Sequence, residues 1–305
     1  MIAICDATER LATALGGGPA ATLAASALIE ADALELPRFG IAMLDEWTPA
    51  LASAPRAEVS QAITWLDRSS CFAPLAVASA TLDLAAAARQ FGVAAVFLRG
   101  VRGFGRLAPF VRHLADAGLL GIAGAEGPPF VAPQGGTRPV IGTNPFAFAM
   151  GQGEDRVVID VASSTATMAA IRNARASGAS LPAGIAVDGS GQPTTAAADV
   201  AALLPRGGQI GSLLGLVVEL MAGVAGGGRG DPAGRGVFIV ALDPAAAEEH
   251  TDWRQRLAGL KNDWLEGGGH WPKGGTVSPD TVMSCDFGER LDAHLARLSE
   301  EMTTR

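Results

Sequence analysis

Residues Gly142, Thr143, Asn144 and Pro145 set a hydroxyl and a carboxamide beside a glycine, a combination suited to offering hydrogen bonds to a ligand. Glycine lets a ligand or a second backbone come close, while proline fixes its own φ and drives Asn144 towards extended geometry. The four lie within residues 131–149, whose glycine, proline and threonine content reads as a shaped loop that no simple helix or strand absorbs. Alone, Gly-Thr-Asn-Pro is equally an ordinary turn between strands. A second cluster, Gly103-Phe104-Gly105-Arg106-Leu107-Ala108, follows an apolar run, opens a helical one, and is trailed after another strand by Glu126. That is the order of a Rossmann dinucleotide site, where amides at a helix N-terminus receive a phosphate. A third group, Glu30, Asp32 and Glu35, recurs at helical spacing, as either a solvated face or a locus that attracts a cation.

The elements around these clusters alternate between helix and strand. Apolar residues at helical spacing predict two helices between residues 3 and 33, separated by Gly16, Gly17, Gly18 and Pro19. Helices are further predicted over 39–51, 59–65, 82–91, 107–117, 165–176, 212–225 and 286–302, with an apolar run at 71–77 leading into the third of these. Short apolar runs at 93–98, 119–123, 157–160 and 237–242 predict buried strands. Residues 226–236 carry six glycines and read as a flexible connection, a lid or only a linker. The Gly103 cluster lacks a series of further strand–helix–strand units around it, so the Rossmann reading has little support beyond its own six residues.

Taken together in order, the motifs at 142–145, 160–164 (Asp160-Val161-Ala162-Ser163-Ser164), 181–195, 203–211, 217–223 and 236–244 resemble the type-2 malate/L-lactate dehydrogenase family. That family includes reductases of piperideine- and pyrroline-2-carboxylate, and the resemblance spans roughly residues 30–245. It implies a mixed α/β fold that is not a Rossmann fold, with a large mixed sheet flanked by helices. It also implies a mainly helical domain drawn from both termini (1–66 with 246–305) beside a nicotinamide-binding domain (67–245). Where the family reads Ser-x-His-Phe-Gly, this chain has Val101, Arg102, Gly103, Phe104 and Gly105. The resemblance places the cofactor against Arg102, Gly103, Phe104, Gly105, Arg106, Leu107, Asn144, Asp160, Ala162, Ser163, Gln209 and Lys273. It gives Thr143 a hydrogen bond to substrate and Asp188 the acidic position that polarises the acid–base group. The expected cofactor is NADPH or NADH, NADPH being favoured, and the expected assembly is a homodimer.

The family's chemistry is incomplete here. With Leu36, Pro37, Arg38 and Phe39 as anchor, the motif Ser-His-Gly-x-x-Arg-x-Pro falls on Glu30, Ala31 and Asp32, and its arginine on Glu35. The lysine of a later Gly-Gly-His-Lys-Gly falls on Ile210. Neither Ala31 nor Gly103 delivers a proton to a developing alkoxide, so reduction of a 2-oxo acid is not expected. A preformed iminium needs no such acid. The continuation Phe104 to Pro109 is also similar to the imine-reducing branch, and Glu35, with Glu30 and Asp32 near it, would draw in a cation. The expectation is reduction of a cyclic or cationic imine, with Asp188 and Glu35 as catalytic residues and Thr143, Glu30 and Asp32 at the substrate. The alternative is a member that has lost redox activity and binds a ligand or catalyses another step in the same pocket.

Composition agrees with a small-molecule enzyme. At 305 residues and 49% hydrophobic the chain is long and apolar enough for a large core. A net charge of −8 without a basic run argues against nucleic acid or an anionic membrane as partner. Cys5, Cys71 and Cys285 are too few and scattered for a disulfide framework, and His113, His250, His270 and His294 lack metal-ligand spacing, so no metal is expected. With no apolar export signal near Met1 and no run of about 20 apolar residues, a cytoplasmic location is expected.

Overall fold

A computed structural model describes residues 1–46, 61–230, 235–246 and 252–303. Strand β1 (Ile2–Ala3) leads into helices α1 (Ile4–Ala14) and α2 (Gly18–Ala33), and two 3₁₀ turns follow at Pro37–Phe39 and Ile41–Glu46. Next come β2 (Ile63–Asp67), α3 (Ala73–Phe91), β3 (Val93–Arg99), α4 (Ala108–Asp116), β4 (Leu120–Ala125), β5 (Pro145–Met150) and β6 (Val157–Ala162). The second half holds α5 (Met168–Ser177), the short pair β7 (Ala186–Val187) and β8 (Ala202–Leu203), and α6 (Gln209–Val218), which continues as a π-helix over Glu219–Ala225. Strand β9 (Val237–Leu242), α7 (Trp253–Glu266), β10 (Val282–Met283) and α8 (Cys285–Thr303) complete the chain.

Six strands form one sheet in the order β2-β3-β9-β4-β5-β6, and only β2 and β3 run parallel. A Rossmann fold requires a mostly parallel, doubly wound sheet, so the mixed sheet excludes that reading of Gly103 to Ala108. The main core lies where α2, α3 and α4 cover this sheet, with Leu28, Ile29, Leu84, Leu98, Phe110, Val111 and Ile239 all fully or almost fully buried. Helices α1 and α8 close over it, and β1 pairs with β10, bringing the two ends of the described chain together.

Several expectations change. Residues 63–65 belong to β2 rather than a helix, because Ile63, Thr64 and Trp65 extend an edge strand whose exposure alternates residue by residue. The expected helix at 39–51 is two 3₁₀ turns as far as Glu46, and residues 47–60 lie outside the described residues, as does His250. The apolar run at 71–77 is the beginning of α3, with Pro74 in its first turn, where its missing N–H costs nothing. The loop at 131–149 ends in a true strand, β5, where Ala147 and Ala149 point into the core and Phe146 and Phe148 away from it. Helix α5 begins later than expected because Thr167 caps it, its hydroxyl accepting from Ala170 N at 3.1 Å.

Of the glycines in residues 226–236, Gly226, Gly228 and Gly236 serve close packing, whereas Gly227 and Gly230 take left-handed φ with open space beside them. A Cβ on Gly236 would lie 1.9 Å from the Ala222 carbonyl oxygen, and one on Gly228 would lie 2.2 Å from Gly236 N. They permit close backbone packing beside Glu126, whose Oε1 accepts from Gly236 N at 3.0 Å. Residues 231–234 lie outside the described residues.

Candidate active site

Strand β6 is the line along which most of the candidate residues meet. At its start Val158 N donates to Pro272 O, which lays Lys273 and Gly274 beside the strand. Two residues on, the Asp160 carboxylate accepts from Ala108 N at 3.2 Å, the amide at the head of α4, and stands 3.7 Å from Arg106 Nε. Burial pushes the Asp160 carboxyl above the usual carboxylate range, with Arg106 opposing the shift. Beyond it Ala162 pairs with Pro145, and Ser163 donates through both its N–H and its hydroxyl to Thr143 O, at 3.1 and 3.0 Å.

Arg106 ties this strand to α2. Its guanidinium donates to Glu30 Oε1 at 3.0 Å and to Gly274 O at 2.6 Å. Arg112, from α4, grips the same carboxylate in a fork, at 3.1 Å to Oε1 and 2.5 Å to Oε2. Glu30 is buried, and the side chains of both arginines are almost so. Two guanidinium groups against Glu30 and Asp160 balance in charge, which is what lets four ions lie beneath the surface. Glu30 is therefore neither a solvated residue nor an unpaired attractor of cations; its carboxylate is already occupied.

Asp32 is also buried, and it anchors a turn. Its Oδ2 accepts from Ile41 N at 2.6 Å, its Oδ1 faces Arg290 of α8 at 3.5 Å, and Gly40 must be glycine because a Cβ there would sit 1.9 Å from Oδ2. Burial raises the Asp32 carboxyl despite these partners. Glu35 alone of the three carboxylates is exposed, at the end of α2, with φ at 60°. A non-glycine residue held in that region stores strain and marks the turn as specified by its surroundings. Ala31, where the family's acid would fall, is completely buried in the core.

Asn144 departs from the extended geometry expected before a proline: its φ is 38°. The carboxamide explains this. It is wholly buried, and its Nδ2 donates to Gly215 O at 2.9 Å and to Glu219 Oε2 at 3.0 Å, a hold that overrides the local preference. Thr143 is half-buried, and its hydroxyl has no hydrogen-bond partner among the described residues. Asp188 sits apart, at the end of β7, and its carboxylate accepts from Ser190 N, Ser190 Oγ and Gln192 N at 2.8, 2.7 and 3.0 Å. Those bonds, Ser190 Oγ foremost, hold its carboxyl below the usual range and make it a turn former.

The cofactor candidates gather on glycine-rich backbone ahead of two helices, α4 and α6. Residues 101–107 are irregular, with Gly103 and Gly105 at φ of 61° and 85°, and they feed the N-terminus of α4, whose first amide the Asp160 carboxylate engages. Gln209 opens α6 behind two more left-handed glycines, Gly207 and Gly208, without a side-chain cap. Asn144 Oδ1 is a buried acceptor without a partner, which calls for a hydrogen-bond donor and not for a phosphate. Lys273 is exposed, 3.3 Å from Glu154 Oε2. Arg102 and Phe104 lie in the irregular segment, and Leu107 is buried beneath α4. Arg112 and Glu219 escaped the sequence reading, although a single acid inside the apolar run at 210–224 was a sign of a buried, partnered carboxylate.

This mixed sheet with a helical cover, in which only β2 and β3 run parallel, sets the fold apart from the Rossmann enzymes. The chain belongs to the malate/L-lactate dehydrogenase family, whose model matches residues 6–266. It is 39% identical over 213 residues to a Delta(1)-pyrroline-2-carboxylate reductase of Ancylobacter novellus, covering 65% of this chain and 61% of that one. It is 33% identical over 229 residues to a Delta(1)-pyrroline-2-carboxylate/Delta(1)-piperideine-2-carboxylate reductase of Pseudomonas putida, covering 70% and 67%. The chain thus spans about three-fifths to two-thirds of the length of these relatives. The crystal structure of delta1-piperideine-2-carboxylate reductase from Pseudomonas syringae superposes with a TM-score of 0.78 at 28% identity over 95% of this chain and 97% of that one. Sulfolactate dehydrogenase from Methanocaldococcus jannaschii, at 19% identity and a TM-score of 0.72 over 98% of both chains, shares the fold.

Proposed function

We propose that this protein is an NADPH-dependent reductase of small cyclic imines, acting on the protonated C=N bond of a ring such as pyrroline- or piperideine-2-carboxylate. The observation that carries this reading is Ala31. The place of the family's proton donor is closed core, and imine reduction is the family chemistry that survives its loss. When bound, the cofactor supplies hydride. Hydride reaches the ring carbon, the C=N π pair becomes the nitrogen lone pair, and the product is a neutral secondary amine, so no oxyanion needs a proton. Thr143 offers its unpartnered hydroxyl to the substrate, and Glu35, exposed at the end of α2, favours the cationic ring. The irregular segment from Arg102 to Leu107, with Asp160, Ala162, Ser163 and Gln209, receives the dinucleotide. Lys273 is the proposed partner of a 2′-phosphate, which is the basis for NADPH over NADH.

The test is to follow loss of reduced nicotinamide with a cyclic imine at neutral pH. Saturable turnover with NADPH is the expected result, and the absence of any cofactor binding at millimolar concentration would overturn the proposal.

A cytoplasmic homodimer is part of the same proposal. Among the described residues no helix is long and apolar enough to cross a membrane. Ile210, Leu213, Val217, Leu220 and Val224 recur at spacings of three and four along α6 and its π-helix, each about half exposed or more. That is an apolar stripe left uncovered among the described residues, and Trp65, exposed on edge strand β2, extends it by donating to Ala225 O at 3.1 Å. A second copy of this chain is the proposed occupant. Leu213→Glu is expected to raise the dimer dissociation constant by about 100-fold, because a carboxylate left in an apolar interface costs on the order of 3 kcal/mol. Sedimentation velocity checks this, and a wild-type protein that stays monomeric at micromolar concentration would contradict the dimer.

A further inference from the structure

We propose that Glu219 is a positioning residue for the site: through Asn144 it sets the turn that presents Thr143. The claim rests on the assignment of Thr143 to the substrate made above. Four observations converge on it. First, Glu219 is a buried carboxylate on an otherwise apolar helix, and its two oxygens are divided between Asn144 Nδ2, at 3.0 Å on Oε2, and the Arg229 guanidinium on Oε1. Second, Asn144 adopts a positive φ immediately before a proline, a conformation its local sequence disfavours and its buried side-chain bonds impose.

Third, the helix changes character where the two meet. Gly215 O receives both Asn144 Nδ2 and the backbone N–H of Glu219, and from Glu219 onward the α-helix widens into a π-helix. A side chain inserted at the helix ladder is a recognised cause of such a change, and π segments gather at functional sites. Fourth, the approach is built for closeness. A Cβ on Gly215 would lie 2.8 Å from both Ile141 Cδ1 and Ser163 Oγ, and one on Gly142 would lie 2.8 Å from Asn144 Oδ1 and 2.7 Å from Gly127 N. Two glycines therefore let the helix and the turn come within hydrogen-bonding reach, and Ser163 holds Thr143 O from the other side.

The chain of bonds runs Arg229, Glu219, Asn144, with Thr143 next in sequence. It joins the glycine-rich stretch after the π-helix to the residue that offers a hydroxyl to the substrate. Removing the carboxylate leaves Asn144 Nδ2 with Gly215 O alone and lets the turn relax towards the extended geometry preferred before proline.

Glu219→Ala is expected to lower kcat by about 100-fold with the cofactor dissociation constant changed by no more than about twofold, since a displacement near 1 Å at a reacting group has effects of that size. Glu219→Gln, which keeps an oxygen for Asn144, should recover at least about tenfold of that loss. Asn144→Ala should match the kcat loss of Glu219→Ala, and the double variant should lose no more kcat than either, because both act through one bond. Amide hydrogen exchange of Ser163, whose N–H donates to Thr143 O, should quicken in the cofactor-free Glu219→Ala protein while strand β4 stays protected, and it reads the same claim without any substrate. If the wild-type protein reduces no imine, the functional proposal falls, and the exchange experiment still decides the role of Glu219. Unchanged exchange at Ser163 in a folded Glu219→Ala protein, or additive losses in the double variant, would overturn it.

Discussion

Glu30→Ala lowers the free energy of unfolding by about 3–5 kcal/mol, the cost of leaving buried charge without its partner. The substitution removes the one carboxylate that both Arg106 and Arg112 share, and it does so where the side chains are only 9%, 12% and 14% exposed, so water cannot readily replace it. Asp160 does not compensate. At 3.7 Å it is the looser partner of Arg106, and Arg112 has no second carboxylate to turn to in this cluster. Glu30→Gln should be milder, because an amide oxygen still accepts from one guanidinium, although the charge balance is lost. Urea unfolding at neutral pH measures both. A loss under about 1 kcal/mol for the alanine variant would mean that the cluster relaxes or hydrates, as exposed ion pairs do. The location makes the experiment informative about the site as well. Arg106 also donates to Gly274 O, beside Lys273, and its neighbour Asp160 holds the first amide of α4, so the ion cluster is the frame for residues 101–107.

How much of this was legible beforehand differs by residue, and the differences have physical causes. Helices α1 and α2, with the glycine break between them, and strands β3, β4, β6 and β9 follow from local patterns, since period and apolar runs are properties of neighbouring residues. Strand β2 was misread because an edge strand carrying Ile63 and Trp65 on exposed positions looks, over five residues, like part of a helix. Strand β5 was hidden behind Asn144 and Pro145, whose turn signals mask the alternation of Phe146 to Ala149. The long-range choices were out of reach. Nothing near Glu30 announces that residues 106 and 112 will close on it from 76 and 82 positions away, and nothing near Asn144 announces Glu219. Identity of residue type pointed to the motif, whereas the partners that fix its geometry are decided by the fold. The glycines show the same division. Gly226, Gly228 and Gly236 look like freedom in one dimension and serve close packing in three.

Pyruvate and other small 2-oxo acids should be reduced about 10²- to 10⁴-fold less efficiently than a cyclic imine, the range that general acid catalysis contributes when it is present. The reason is the charge that each reaction develops. Hydride addition to a ketone produces an alkoxide, which must be protonated or stabilised as it forms; hydride addition to an iminium cancels a charge that was already there. Where its relatives' motif has histidine this chain has Ala31, wholly buried, and where the second motif has histidine it has Gly103, at a φ of 61°. Asp188 cannot stand in, because its carboxylate is committed to Ser190 and Gln192 and is held in the ionised form, without a proton to give. Asp160 is held partly towards its protonated form by burial, but it faces Ala108 N and Arg106, and a proton there would break the bonds that hold α4. The comparison of kcat/KM for pyruvate and for a cyclic imine of similar size, under saturating NADPH, is therefore a direct reading of whether a proton donor exists. Comparable values for the two substrates would require an acid within reach of the substrate, supplied by residues outside those described or by a second subunit, and would remove the ground for preferring C=N over C=O. The pH dependence separates the cases further. Without an enzymatic acid, kcat/KM for the imine should follow the protonation of the substrate alone, falling tenfold for each unit of pH above the iminium pKa, with no second limb from the protein.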